Sequence, residues 1–386
     1  MFGDDKLVRY HPCEHIIKDT NHCEVHGLPN PLGWGPAHGY LEPDQIFQTG
    51  QYRTLQTDMV NGVKNPACYY CWKLEDEEQV YNDGRKAKTS PRLDPPLIDR
   101  ETKEGYLLHF ILDNKCNMGC RMCSPIVSNR LYKDYDYFKK NDIDIEQISN
   151  GWFVNGSTGK PLESNQWEWV LDNADKIGAL KITGGEPFFN NMFLSSLELF
   201  DKSNINFGVT TNCSLISNKI VNLLNEFKGI YVTVSVDSVD KNYQYIRHPV
   251  KFEKFEKSFN NLLRCNNIKE LQFNCVVSAL NFLHLDELLL WSKPYYAKLH
   301  FCEVYPVRGT SIKYLPSHIL NMMKEKLNVI DMADAHLLRD MIERAIKDNQ
   351  PNRQKMLQEI TLFDKSRNQK FENFLHPVLV KWLQQS

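Results

Sequence analysis

Cys116-Asn-Met-Gly-Cys120-Arg-Met-Cys123 places three cysteines within eight residues at the spacing C-x3-C-x2-C. The stretch follows the apolar run Tyr106-Leu-Leu-His-Phe-Ile-Leu112, so the thiols sit on a loop that leaves a strand-like segment. A structural zinc site wants four protein ligands, and a catalytic one wants three plus water. The nearest spare ligand, His109, lies seven residues upstream on the strand. A [4Fe–4S] cube normally takes four thiolates, often close together in sequence. Three thiolates on one loop would hold three irons and leave the fourth open. The plainer alternative is three small buried hydrophobes, but residues of one short loop do not easily all face inward.

Outside this loop the chain reads as an ordinary globular protein. Its 386 residues are 42% hydrophobic and 24% charged, ample for one large domain or two smaller ones. A formal net charge of −2 argues against a dedicated nucleic-acid surface, which would usually be basic. Met1-Phe-Gly-Asp-Asp-Lys6 has no apolar core of signal-peptide type. No run approaches the ~18 uncharged apolar residues that cross a bilayer. The cysteines number eleven, an odd count, and seven fall in clustered or metal-like spacings. That favours metal clusters in a reducing cytoplasm over a secreted disulfide framework.

From residue 105 strand-like and helix-like segments alternate. Apolar runs at 107–112, 179–183, 206–210, 230–236, 271–277 and 299–305 predict strands. Several are continuous, as parallel strands covered on both faces require. Helices are expected between them at 128–139, 164–176, 191–202, 216–227, 252–265 and 282–294. The result is an α/β fold with a parallel sheet. Residues 140–163 break the alternation and read as an inserted lid or surface loop. Residues 316–386 are expected to be helical, with apolar stripes Leu320, Met323, Leu327, Ile330 and Leu338, Met341, Ile342, Ala345.

The cysteine loop, with Ser124-Pro125 after it, resembles the signature of the radical S-adenosylmethionine (SAM) enzymes. That resemblance implies a partial (β/α)6 barrel at 105–310. It also implies that SAM chelates the fourth iron and is cleaved reductively to a 5′-deoxyadenosyl radical. Chemistry in such barrels sits at the C-terminal strand ends. Gly184-Gly185-Glu186-Pro187 ends the second predicted strand and is similar to the family element that contacts the SAM amino group; two glycines let a backbone approach closely. Asn212 ends the third strand and is similar to the family's Thr-Asn pair, with a turn or helix cap as its other reading. Ser235 and Asp237, at the end of the fourth, resemble a Ser-x-Asp element for ribose hydroxyls or the methionyl carboxylate, with a cap for the next helix as the competing use. Arg247 aligns with an arginine that often pairs with the SAM carboxylate, for which a guanidinium fork is suited, with a surface salt bridge as its other reading. Met122 stands where the family has a bulky side chain near the adenine. Cys213, Cys265, Cys275 and Cys302 read as core, with Cys213 and Cys275 nearest to strand ends.

Residues 1–84 carry Cys13, Cys23, Cys68 and Cys71, the last pair in Ala67-Cys-Tyr-Tyr-Cys-Trp72. They resemble the SPASM/twitch accessory module of radical SAM enzymes, which in most of that family follows the barrel rather than precedes it. Four cysteines suffice for a second [4Fe–4S] cluster or a zinc ion. Residues 85–104 are polar and proline-rich and read as a linker, and 311–386 form a C-terminal helical region. The resemblance implies a peptide or protein substrate and a reductant such as flavodoxin or ferredoxin. The rivals are a non-catalytic iron–sulfur or zinc sensor or scaffold, and a radical SAM enzyme acting on a sugar, small metabolite or RNA.

Overall fold

The computed structural model describes residues 53–54, 57–58, 61–65, 106–125, 127–143, 170–304 and 308–385. The chain divides into a unit of residues 2–96 and a unit of 97–386. In the first, helical residues 57–58 lead to Gly62 at φ +70°, the left-handed conformation that ends helices. Asn65 Nδ2 donates to Asp58 Oδ2 at 2.6 Å across that turn. Cys13, Cys23, Cys68 and Cys71 lie outside the described residues, as do the linker and most of the 140–163 insertion.

The second unit is built on six strands: β1 (Tyr106–Ile111), β2 (Ile177–Thr183), β3 (Asn206–Thr211), β4 (Gly229–Ser235), β5 (Ile268–Val277) and β6 (Lys298–Glu303). They pair in chain order, each parallel to the next. With the crossover helices this is the open (β/α)6 barrel type. All six expected strands are present within a few residues of their predicted bounds. The burial is less uniform than continuous apolar runs suggest. Along β4, Ile230, Val232 and Val234 are buried while Tyr231, Thr233 and Ser235 are half-buried. One face of the sheet packs on helices and the other is lined partly by polar side chains.

The helices are α1 (Tyr132–Lys140), α2 (Asn191–Ser196), α3 (Asn218–Asn225), α4 (Asp240–Ile246), α5 (Phe252–Leu262), α6 (Leu285–Ser292), α7 (Ser317–Asn328), α8 (Ala333–Lys347), α9 (Arg353–Arg367) and α10 (Pro377–Leu383). Local chemistry sets their ends. Ser217 caps α3 by accepting from Ile220 N, Asn352 caps α9 through Lys355 N, and Pro377 opens α10. Phe255, Phe259, Phe273, Trp291 and Tyr295 form an aromatic stack that binds α5 and α6 to β5, with Phe259 and Phe273 centroids 5.5 Å apart. Both C-terminal stripes enter the same core as the sheet: Leu320, Met323, Leu327, Leu338, Met341, Ile342 and Ala345 are buried, and Ile330 packs at the margin. Among the described residues no helix is long and apolar enough to cross a membrane.

Candidate active site

The cysteine loop leaves β1 at the C-terminal edge of the sheet and is fixed there by backbone bonds. Gly119 N donates to His248 O at 2.8 Å, Arg121 N to Ile246 O at 2.9 Å, and Asn129 N to Asn114 O at 2.8 Å. Side chains complete the frame: Cys116 N donates to Asn129 Oδ1 and Ser128 Oγ donates to Met118 O. A loop without ladder partners must satisfy its peptide groups in this way or leave them buried and unpaired.

The two glycines of the next strand end meet this loop. Gly185 N donates to Asp113 O at 2.7 Å, and Glu186 N to Lys115 O at 2.8 Å. A Cβ on Gly185 would lie 2.1 Å from Lys115 O, and one on Gly184 (φ +124°) 2.7 Å from Asp113 O. The close approach that requires glycine here is therefore to the loop's own backbone. Pro187 starts a short 3-10 turn, and Asn190 after it caps α2 while donating to Asp113 Oδ2 at 3.0 Å.

Glu186 is buried between strands. One oxygen accepts from Phe188 N (3.2 Å) and Thr211 Oγ1 (2.7 Å), the other from Asn212 N (2.6 Å). Burial pushes its carboxyl up to about 7 despite those donors. Asn212 follows β3 and reaches back to the loop, donating to Asn117 Oδ1 at 2.9 Å and lying 3.8 Å from Cys116 Sγ. Asn117 in turn donates to Ser214 Oγ at 2.8 Å. Ser235 closes β4, half-buried.

Asp237 and Arg247 face each other, so the salt-bridge reading of Arg247 is the one the geometry shows, buried rather than at the surface. Arg247 Nε lies 2.6 Å from Asp237 Oδ2, with both side chains buried, and Arg247 Nη1 is 3.9 Å from Cys120 Sγ. Burial raises the Asp237 carboxyl; it would lower Arg247, but the charges of Asp237 and Cys120 hold that guanidinium up instead.

The three thiols sense one another. Burial, then the charge of Cys120, pushes Cys116 up to about 12. A hydrogen bond between Cys120 and Cys123 holds Cys120 down and Cys123 well up, and Cys123 also feels Cys116. Met118 N donates to Cys116 Sγ at 3.4 Å. Among the described residues no three His, Cys, Asp or Glu side chains converge as a single metal ion would need. A cube gives each thiolate its own iron, so three thiols of one loop could each ligate a different iron of a cluster. Cys116 and Cys123, whose thiols resist ionisation alone, are ligands that a cationic centre would deprotonate.

Met122 is half-buried, and its carbonyl accepts from Arg308 Nη1 at 3.4 Å. Cys213, Cys265 and Cys275 are buried, and Cys302 is partly so. Two groups gave no signal of their own in the sequence. Arg121, inside the motif, is buried with its guanidinium 3.6 Å from the Tyr245 ring centroid and bonded to Asp364. Arg308, beyond β6, sits against the same loop.

Residues 110–277 match the family model described as the Radical SAM superfamily. Over 224 residues the chain is 24% identical to Molybdenum cofactor biosynthesis protein 1 of Dictyostelium discoideum, covering 55% of this chain and 31% of that protein. Over 142 residues it is 30% identical to an uncharacterized protein of Methanocaldococcus jannaschii, covering 35% of this chain and 40% of that one. The chain thus spans well under half the length of either curated relative. Among solved structures, Streptococcus suis SuiB bound to precursor peptide SuiA aligns with a TM-score of 0.39 at 15% identity, covering 85% of this chain and 62% of that one. The parallel six-stranded unit, its cysteine loop after β1 and the match over 110–277 lead to one conclusion: residues 110–277 of this chain carry a radical SAM domain.

Proposed function

We propose that the chain is a radical SAM enzyme in which Cys116, Cys120 and Cys123 ligate a [4Fe–4S] cluster and the adjoining strand ends bind SAM. The observation that carries this reading is the convergence on one loop of three thiols with groups from the ends of β2 and β3 and from the C-terminal end of α4. Asn212 and Arg247 lie against Cys116 and Cys120, and Gly185-Glu186 is bonded to the loop's stem. When bound, cluster and SAM supply one-electron cleavage of the sulfonium and a 5′-deoxyadenosyl radical for hydrogen abstraction.

The chain's own groups position and neutralise. A carboxylate has about four lone-pair sites, and Glu186 uses three on Thr211, Asn212 and Phe188. One acceptor position is left for the SAM ammonium. Asp237 and Arg247 act as a pair beside Cys120, the guanidinium offsetting negative charge at the sulfurs. Ser235 and Asn212 serve the ribose and methionyl groups, with Gly184 and Pro187 shaping the turn and Met122 flanking the adenine.

In residues 1–84, Cys13, Cys23, Cys68 and Cys71 carry an auxiliary cluster or a zinc ion, and the substrate is a peptide or protein side chain. The SPASM-like cysteine spacing supports this. A flavodoxin- or ferredoxin-type reductant in the cytoplasm would supply the electron. Anaerobic reconstitution with iron and sulfide tests the reading. About eight irons per chain, falling to about four in Cys68→Ala/Cys71→Ala, is the expected result with two clusters. About four in both would assign zinc or free thiols to the N-terminal cysteines. No iron lost from Cys116→Ala/Cys120→Ala/Cys123→Ala would remove the proposed ligands.

A further inference from the structure

We infer that the buried Arg308–Glu359 pair is a positioning device for the cysteine loop, fixing the two peptide carbonyls that lie between the second and third cysteines. The inference rests on the cluster-ligand reading above. Arg308 is 0% exposed and Glu359 2%, with Nη2 and Oε1 2.5 Å apart and a second contact from Nε at 2.8 Å. The guanidinium has donors left over, and they go to the loop: Nη2 to Arg121 O at 2.5 Å and Nη1 to Met122 O at 3.4 Å. Glu359 is held in turn, accepting from Gly309 N at 2.6 Å and Thr310 Oγ1 at 3.3 Å. Only glycine fits at 309, since a Cβ there would lie 2.7 Å from Lys355 O.

The same helix, α9, grips the loop a second time through the Arg121 side chain. Its Nη2 bonds Asp364 Oδ1 at 2.5 Å and its Nη1 bonds Ile360 O at 3.4 Å. Ile360 and Asp364 therefore hold the Arg121 side chain directly, while Glu359 reaches the Arg121 carbonyl only through Arg308; the neighbours of Arg121 on the loop include Cys120. A buried ion pair is weak evidence of stabilisation, because apolar residues of similar volume often serve as well. What they cannot replace is a donor for two loop carbonyls that lie outside any ladder. The planar fork of arginine reaches a carboxylate and two carbonyls together, which the point charge of lysine does not. Fixing these carbonyls fixes the peptide path from Cys120 to Cys123, and with it the direction in which both sulfurs are presented.

The test compares reconstituted wild type with Arg308→Met/Glu359→Gln. This variant removes both charges and keeps an acceptor for Gly309 N–H. Outer-shell partners typically contribute about 10–100-fold to metal affinity, so the variant should release iron to a chelator about tenfold faster or more. Its reduced-cluster electron paramagnetic resonance (EPR) signal should also be altered. Lys202→Met is the control: Lys202 is buried and precedes β3 at the opposite, N-terminal edge of the sheet, where it bonds Leu197 O and Glu226. That control should lower the melting temperature without changing iron release or the EPR signal. A purely structural role predicts that release follows melting temperature in both variants alike. Wild-type release and an unchanged signal in the double variant would overturn the inference. If that variant does not fold, Arg308→Lys is read in the same assay against the same criteria. A wild type that takes up no iron would instead overturn the ligand reading, and the positioning role with it.

Discussion

Gly185 shows how a short motif can be read correctly for type and differently for reason. The sequence suggests that glycine makes room for a ligand, whereas the nearest backbone is that of Lys115. A Gly185→Ala substitution forces the loop stem away from β2. Overpacking of this kind costs about 1–3 kcal/mol or more, and we expect iron retention to fall along with the urea midpoint. Glu186 gives a pH signature. Burial raises its pKa from 4.5 to about 7, so the folded chain keeps a proton that the unfolded chain has released. Apoprotein stability then falls as pH rises from about 4.5 to about 7, by on the order of 3 kcal/mol, and the Glu186 contribution is constant above that. Glu186→Gln should abolish this slope in urea titrations across the window; an unchanged slope would assign it to another group. Asp237 was legible as a polar strand-end residue, and Arg247 as either a carboxylate partner or a surface salt bridge. Their mutual pairing was not, because sequence spacing does not say which of two buried charges meets a ligand and which meets the other.

Among the elements, the strands were the most legible. Their apolar runs are short, rich in branched and aromatic residues, and separated by polar segments. The helix α4 was missed, since Asp240-Lys-Asn-Tyr-Gln-Tyr-Ile246 has no one-sided apolar stripe, yet Asn242, Tyr243, Tyr245 and Ile246 are all buried. Its order comes from tertiary contacts: Asn242 donates to Leu280 O, and Tyr245 stacks on Phe374 at 5.0 Å. The grip of α9 on the loop was also invisible, because its partners are separated by more than two hundred residues. Two substitutions separate its contributions. Tyr245→Phe loses the 2.7 Å hydroxyl bond to Asp364 and should cost about 1 kcal/mol. Asp364→Ala leaves the Arg121 guanidinium buried without its carboxylate and should cost about 3–5 kcal/mol. Equal effects in chemical denaturation would contradict the assignment of Asp364 as the partner of a buried charge.

At the scale of the molecule, the C-terminal helices share the sheet's core and reach the cysteine loop. A chain ending before α7 would expose the faces now covered by Leu320, Met323, Leu338 and Ile342. We expect it to be recovered aggregated and without bound iron; a soluble, iron-binding product would show that the sheet carries the site alone. The sequence made the barrel and the cysteine loop readable because both are written in local patterns. The counter-charges behind the loop are written in single residues far apart. The central claim is that this loop ligates a cluster able to cleave SAM. Its most direct test is the yield of 5′-deoxyadenosine from SAM and dithionite, with reconstituted wild type measured beside Cys116→Ala/Cys120→Ala/Cys123→Ala. The account predicts product from the wild type and none above background from the variant. Equal yields from the two, or none from an iron-loaded wild type, would contradict it.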